Sequence, residues 1–256
     1  RTRSLRLAAM AVLAALTLVA AACGDDSGGD ESGSATSTTA AEASGFEGDL
    51  MGTFEITAGE CADAGVTAGS SFRMVQPGGT AEDGPFIDNG DSVCGDLTFT
   101  ALSAGTDGGL ITGEFQPAAD PAFDDAGNAL SGTIIAPVPF FGLDFSAATD
   151  ETDAASGEAL TAPTLTATDG ELSGDLSALA AYYGGEVFNQ GAPKPSGENP
   201  GLTSGPTGTI DAETGAFVLD WQSQIEGGAF NEFTGLWHLE GTFTADDNGD
   251  FVSAIT

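Results

Sequence analysis

Thr164-Leu-Thr-Ala-Thr-Asp-Gly-Glu-Leu-Ser-Gly-Asp-Leu176 is the stretch that decides the fold class. Two short alternating runs flank Asp169-Gly170. The β-branched threonines favour an extended backbone. Asp-Gly supplies the two left-handed residues that a two-residue type I′ turn requires. The stretch predicts a hairpin of Thr164–Thr168 with Glu171–Leu176.

The same grammar continues towards the C-terminus. Thr207–Ile210 and Ala216–Trp221 flank the longer turn Asp-Ala-Glu-Thr-Gly. Phe217, Leu219 and Trp221 share one face of the second run, because successive side chains of a strand alternate sides. Gly235–Thr244 reads as a further strand with Trp237, Leu239 and Phe243 inward, and Asn248-Gly249 then turns the chain into Phe251–Ile255. Towards the N-terminus, Met51–Thr57, Ser71–Val75 and Leu97–Leu102 are expected strands. Gly108-Gly109 is expected to join the last of these to Leu110–Phe115 as a hairpin. Gly132–Phe145 is apolar but carries Pro137 and Pro139, which suits an edge strand or an extended buried loop. Residues 189–206 read as a long loop.

One helix is expected at about 176–184. Asp175 is placed to cap it, Leu176, Leu179, Ala180 and Tyr183 follow helical spacing, and Gly184-Gly185 would stop it. No fixed-period repeat is present. The expectation is an all-β antiparallel sandwich or barrel-like domain over residues 46–256, with that one short helix.

The first 26 residues carry a different message. Arg1, Arg3 and Arg6 precede an apolar run from Leu7 to Ala22, followed by Cys23 and Gly24-Asp25-Asp26. The run is shorter than the roughly 20 residues that span a bilayer core. A basic start, an apolar stretch and small residues before a cleavage point mark a secretory signal. With Cys23 directly after Ala20-Ala21-Ala22, the segment resembles the lipobox of bacterial lipoproteins. That resemblance implies removal of residues 1–22, acylation of Cys23, and a protein held at the extracytoplasmic face of a bacterial membrane by its N-terminal lipid alone. Residues 23–45 lack aromatic residues and read as a tether that buries too little apolar surface to order itself. Two further strings, Phe72–Gly79 and Gly227–Phe243, resemble segments of uncharacterised secreted bacterial proteins and imply no activity.

Charge narrows the classes of partner. All 39 acidic residues follow Cys23, and of the basic residues only Arg73 and Lys194 do, so residues 23–256 carry a formal charge of −37 against −34 for the whole chain. Such a surface repels phosphates, which excludes nucleic acid and disfavours polyanions. It leaves a cation, a protein or a glycan as ligand, or adaptation to high salt, where ions screen self-repulsion. A monomer is expected.

Few residues carry candidate chemistry. Cys61 and Cys94 remain as an even pair in an oxidising compartment, so a disulfide is expected. Asp120, Asp124, Asp125 and Asn128 cluster within one loop, and Asp246, Asp247, Asn248 and Asp250 in another. Hard oxygen ligands at that density make Ca²⁺ the one cofactor considered, although neither cluster is an EF-hand loop. His238 is the only histidine. Alternation places it opposite Trp237 and Leu239 as a half-exposed surface residue. Its sharper alternative is a general base or an axial ligand, with Tyr182 and Tyr183 completing a haem site only through tertiary contact. There is no G-x-S-x-G, P-loop or HExxH motif, and no catalytic residue is assigned. The functional expectation is a lipid-anchored binding or structural module. The alternative is a carboxylate-dependent glycan hydrolase, which would place two carboxyl groups across a cleft. A solute-binding protein of α/β lobes fits this helix-poor sequence badly.

Overall fold

A computed structural model describes residues 45–246. The fold is all-β and antiparallel, and no helix forms among the described residues. Its strands in chain order begin with β1 (Gly48–Leu50), β2 (Gly52–Ile56), β3 (Glu60–Ala62), β4 (Gly65–Ala68), β5 (Ser71–Thr80) and β6 (Gly84–Phe86). They continue with β7 (Thr100–Ala101), β8 (Gly109–Ile111), β9 (Ile135–Phe140), β10 (Leu143–Thr149), β11 (Thr164–Thr168) and β12 (Glu171–Asp175). The last five are β13 (Leu179–Tyr183), β14 (Glu186–Asn189), β15 (Ser204–Ile210), β16 (Ala216–Gln224) and β17 (Thr234–Ala245).

An 11-stranded curled sheet forms the main body, in the order β1-β11-β12-β15-β16-β17-β2-β8 with β5, β6 and β7 attached through β17. The long strand β17 makes this possible. Its first half pairs with β5 and its second half with β2, so two strands share one side of it. Gly241 begins the second half opposite Ile56, and a Cβ there would lie 1.7 Å from the Glu55 carbonyl oxygen, so only glycine fits. A second sheet, β14-β13-β10-β9, packs one face against the first, with which it shares a core.

The hairpin of Thr164–Thr168 with Glu171–Asp175 forms as expected, with Asp169 at φ 52° and Gly170 at φ 80°, both left-handed. The inward residues of β16 and β17 are also as expected: Phe217, Leu219, Trp221, Trp237, Leu239 and Phe243 are all buried. Trp221 and Trp237 face each other across the strand pair and stack at 5.4 Å between centroids. Their indole N–H groups are satisfied by Gln190, through its backbone and side-chain oxygens respectively. Phe72, Phe140, Phe145 and Trp237 pack ring against ring between the two sheets. The proline-bearing strand β9 lies at the sheet edge, where missing N–H donors cost nothing.

Two expectations fail. The helix at 176–184 is instead a turn followed by strand β13. This run is buried on both faces. Leu179 and Ala181 enter the main core, while Ala180 and Tyr182 pack with Ala129 and Ala148 on the other side. A strand covered on both faces reads as a continuous apolar run, and such a run mimics helical spacing. Asp175 accepts a hydrogen bond from the Ser177 N–H at 2.7 Å, closing a turn rather than capping a helix.

The expected pairing of Leu97–Leu102 with Leu110–Phe115 is also absent. Strand β7 pairs with β5, and β8 pairs with β2. The connection between them is drawn away by hydrogen bonds from Gly105, Thr106 and Asp107 to the carbonyls of Ile134, Gly132 and Thr133. Gly-Gly permits a turn there, but partners distant in sequence satisfy the backbone instead. The expected strand Phe251–Ile255 lies outside the described residues.

Candidate functional site

The chemistry worth following is that of the three positively charged side chains in the described residues, Arg73, Lys194 and His238. Each is engaged by other groups of the same chain. His238 points outward from β17, directly opposite Asp220 of β16. Its Nδ1 lies 2.7 Å from Asp220 Oδ1 and its Nε2 3.0 Å from Glu240 Oε1. Carboxylates on both ring nitrogens favour the imidazolium, and they push its pKa up to about 9, the Asp220 hydrogen bond contributing most. At neutral pH His238 is therefore a double donor and has no free lone pair with which to act as a base or a ligand. Glu240 Oε2 in turn accepts from the Gly69 N–H at 2.8 Å, tying the sheet to the β4–β5 turn.

That turn belongs to a cap over the outer face of β5 and β17. Cys61 on β3 and Cys94 form the expected disulfide, with Cα atoms 4.8 Å apart, and join the β3–β4 hairpin to the loop before β7. Between cap and sheet lies a cavity of about 320 Å³ whose walls include Thr67, Gly69, Arg73, Phe99, His238 and Glu240. The Arg73 guanidinium is held between the rings of Phe86 and Phe99, at 3.5 and 4.2 Å from their centroids. Its Nη2 donates to Thr98 Oγ1 at 3.0 Å, and its Nε is buried without a hydrogen-bond partner among the described residues. Burial pulls its pKa below the usual arginine value, opposed by the nearby Asp96.

Lys194 lies in the loop between β14 and β15 and is only 2% exposed. Its Nζ donates to Ser223 Oγ at 2.6 Å and to the Asn189 carbonyl oxygen at 2.9 Å, with Asn189 Oδ1 at 3.4 Å. The Ser223 hydroxyl in turn donates a hydrogen bond to the Gly191 carbonyl oxygen at 2.8 Å. Three acceptors for three N–H donors satisfy the ammonium, although burial lowers its pKa to about 8. Beside this loop opens a cavity of about 270 Å³ walled by Asp153, Glu158, Val187, Phe188, Ile225 and Glu226, which Lys194 also lines.

The Asp120–Asn128 loop brings Asp124 and Asn128 together. Asp124 accepts from the Asn128 side chain at 2.8 Å and from the backbone N–H groups of Ala126 and Asn128. These donors hold its carboxyl below the usual aspartate range, Asn128 contributing most. Asn128 Oδ1 is itself used by the Asp144 N–H. Asp120 and Asp125 are exposed beside them. Among the described residues no three ligating side chains converge on one point that a metal ion would occupy. In the second acidic cluster only Asp246 is described, and Cys23 also lies outside the described residues.

Tyr182 donates to Asp150 and Tyr183 to the Phe141 carbonyl oxygen, both from the smaller sheet, so neither tyrosine joins His238. Sequence reading missed the Lys194–Ser223 contact, the Arg73 sandwich and the Asp220–His238–Glu240 clasp. Only the clasp had a local signal: His238 and Glu240 are two apart on one strand face. No family model, curated protein or solved structure matches this chain.

Proposed function

We propose that this chain is a lipid-anchored, extracytoplasmic β-domain that binds a cationic partner. One observation carries the reading. All three cations of the described residues are engaged internally, by aromatic rings, by buried acceptors or by carboxylates. The exterior thus offers carboxylates and few competing positive groups, a surface that attracts cations and repels polyanions at long range. The lipobox-like sequence ending at Cys23 supports the placement. The hydrolase alternative draws nothing from the tryptophans, since both are core residues rather than exposed sugar platforms.

The test is fluorescence anisotropy of labelled decalysine with the purified chain. Saturable association is expected at about 20 mM NaCl, with most of it lost near 0.5 M as the Debye length shrinks. Absence of association at low salt would remove the reading. The anchor is tested separately by the intact mass of chain extracted from membranes, which should show cleavage before an acylated Cys23.

A further inference from the structure

We propose that the side chains of Lys194 and Asn189 become joined by an intramolecular isopeptide bond, with loss of ammonia. The proposal goes beyond the cationic-partner reading and does not rest on it.

The first observation is the nucleophile. Lys194 is only 2% exposed, and Ser223 and Asn189 enclose its ammonium. Burial lowers its pKa to about 8, so about a tenth of it is the neutral amine at pH 7. A lysine desolvated in this way is an activated amine.

The second observation is the electrophile. Nζ lies 3.4 Å from Asn189 Oδ1. Cγ is one carbonyl bond of about 1.2 Å beyond that oxygen, so Nζ stands within about 4.6 Å of it. Attack needs about 3–3.5 Å, an advance of about 1 Å that the flexible four-carbon stem of lysine supplies. The carboxamide is held at both ends. Its Oδ1 accepts the Gly191 N–H at 3.1 Å, and its Nδ2 donates to the Ser177 carbonyl oxygen at 2.7 Å. The Gly191 N–H polarises the C=O and stabilises the oxyanion that attack creates.

The third observation is a proton carrier. Asp153 is the only buried carboxylate among the described residues. It shares two recesses with Asn189, one of them lined by Lys194 as well, and its charge acts on the Lys194 ammonium. Glu226 also acts on that ammonium but is exposed.

The step balances without oxidant, reductant or water. The ammonium gives one proton to Asp153. The amine lone pair forms the Nζ–Cγ bond, and the C=O electron pair moves onto Oδ1. As the C=O re-forms, the Cγ–Nδ2 bond breaks. Asp153 delivers its proton to Nδ2, which leaves as ammonia, takes up the proton that Nζ sheds, and returns it to solvent. One amide is exchanged for another, and dilution of the ammonia draws the exchange forward.

The test is mass spectrometry of the peptide Val187–Glu198, cut by a glutamate-specific protease from the full chain purified in its folded form. The peptide should be lighter than its sequence by one ammonia, about 17 Da. It should yield no backbone fragments between Asn189 and Lys194, because the bond closes a ring there. In Lys194→Met the peptide should keep its full sequence mass. Asp153→Asn should leave most of it at full mass, since loss of a general acid–base slows a step by about a hundredfold or more. Glu226→Gln should leave the loss complete. The wild-type peptide decides the matter should a variant fail to fold. A full-mass peptide from the folded wild type, a loss that persists in Lys194→Met, or a lighter peptide that fragments between Asn189 and Lys194 would each overturn the bond. The last two are the marks of a succinimide at Asn189. An unaltered loss in Asp153→Asn would overturn the part given to Asp153. The peptide is read without any ligand, so its failure leaves the cationic-partner reading untouched.

Discussion

Replacing His238 with glutamine should produce a stability loss that depends on pH in a definite direction. In the folded chain the imidazole sits between Asp220 and Glu240, and its pKa rises from 6.5 to about 9. A rise of that size corresponds to an upper limit of about 3 kcal/mol. The His238 side chain is 32% exposed and its stronger partner Asp220 54%, so solvent screening reduces the contribution to about 1–2 kcal/mol. Because the folded pKa lies above the unfolded one, the stabilisation is complete below about pH 6.5 and fades as pH rises through about 9. In a domain of this size that corresponds to about 3–6 °C in Tm at pH 6. Urea unfolding of the two proteins at pH 6, 8 and 10 measures it. His238→Gln should be less stable at pH 6, and the gap should shrink by most of its size at pH 10. A gap that stays constant across this range, or no gap at pH 6, would refute the clasp as an electrostatic device.

Three further outcomes follow from other contacts. Ser223→Ala removes an acceptor from the buried Lys194 ammonium and should cost about 1–3 kcal/mol in urea unfolding. Reducing the Cys61–Cys94 bond frees a loop of 33 residues and should cost about 3–4 kcal/mol, read as a fall in the denaturation midpoint with dithiothreitol. Exchanging EDTA for millimolar Ca²⁺ should leave Tm unchanged, because N–H donors already fill the Asp124 carboxylate; a rise of several degrees would show instead that the 120–128 loop takes calcium.

The sequence by itself determined what local chemistry determines. Asp169-Gly170 specified a turn because only left-handed residues fit it. Alternation specified which faces of β16 and β17 are buried, since a strand has only two sides. The lipobox-like setting of Cys23 left Cys61 and Cys94 as the expected pair, and they are bonded. Tertiary structure decided everything that depends on who covers whom. Leu179–Tyr183 became a strand because a second layer buries its other face, and its spacing alone resembles a helix. Strand β7 left its sequence neighbour for β5 because distant backbone groups completed both ladders. The fates of Arg73 and Lys194 are equally non-local. Phe86, Phe99 and Ser223 stand 13 to 29 residues away, and only folding brings rings and hydroxyl against those charges. Side-chain periodicity acts over one or two turns of chain, whereas burial of a charge is settled by the whole sheet that closes over it.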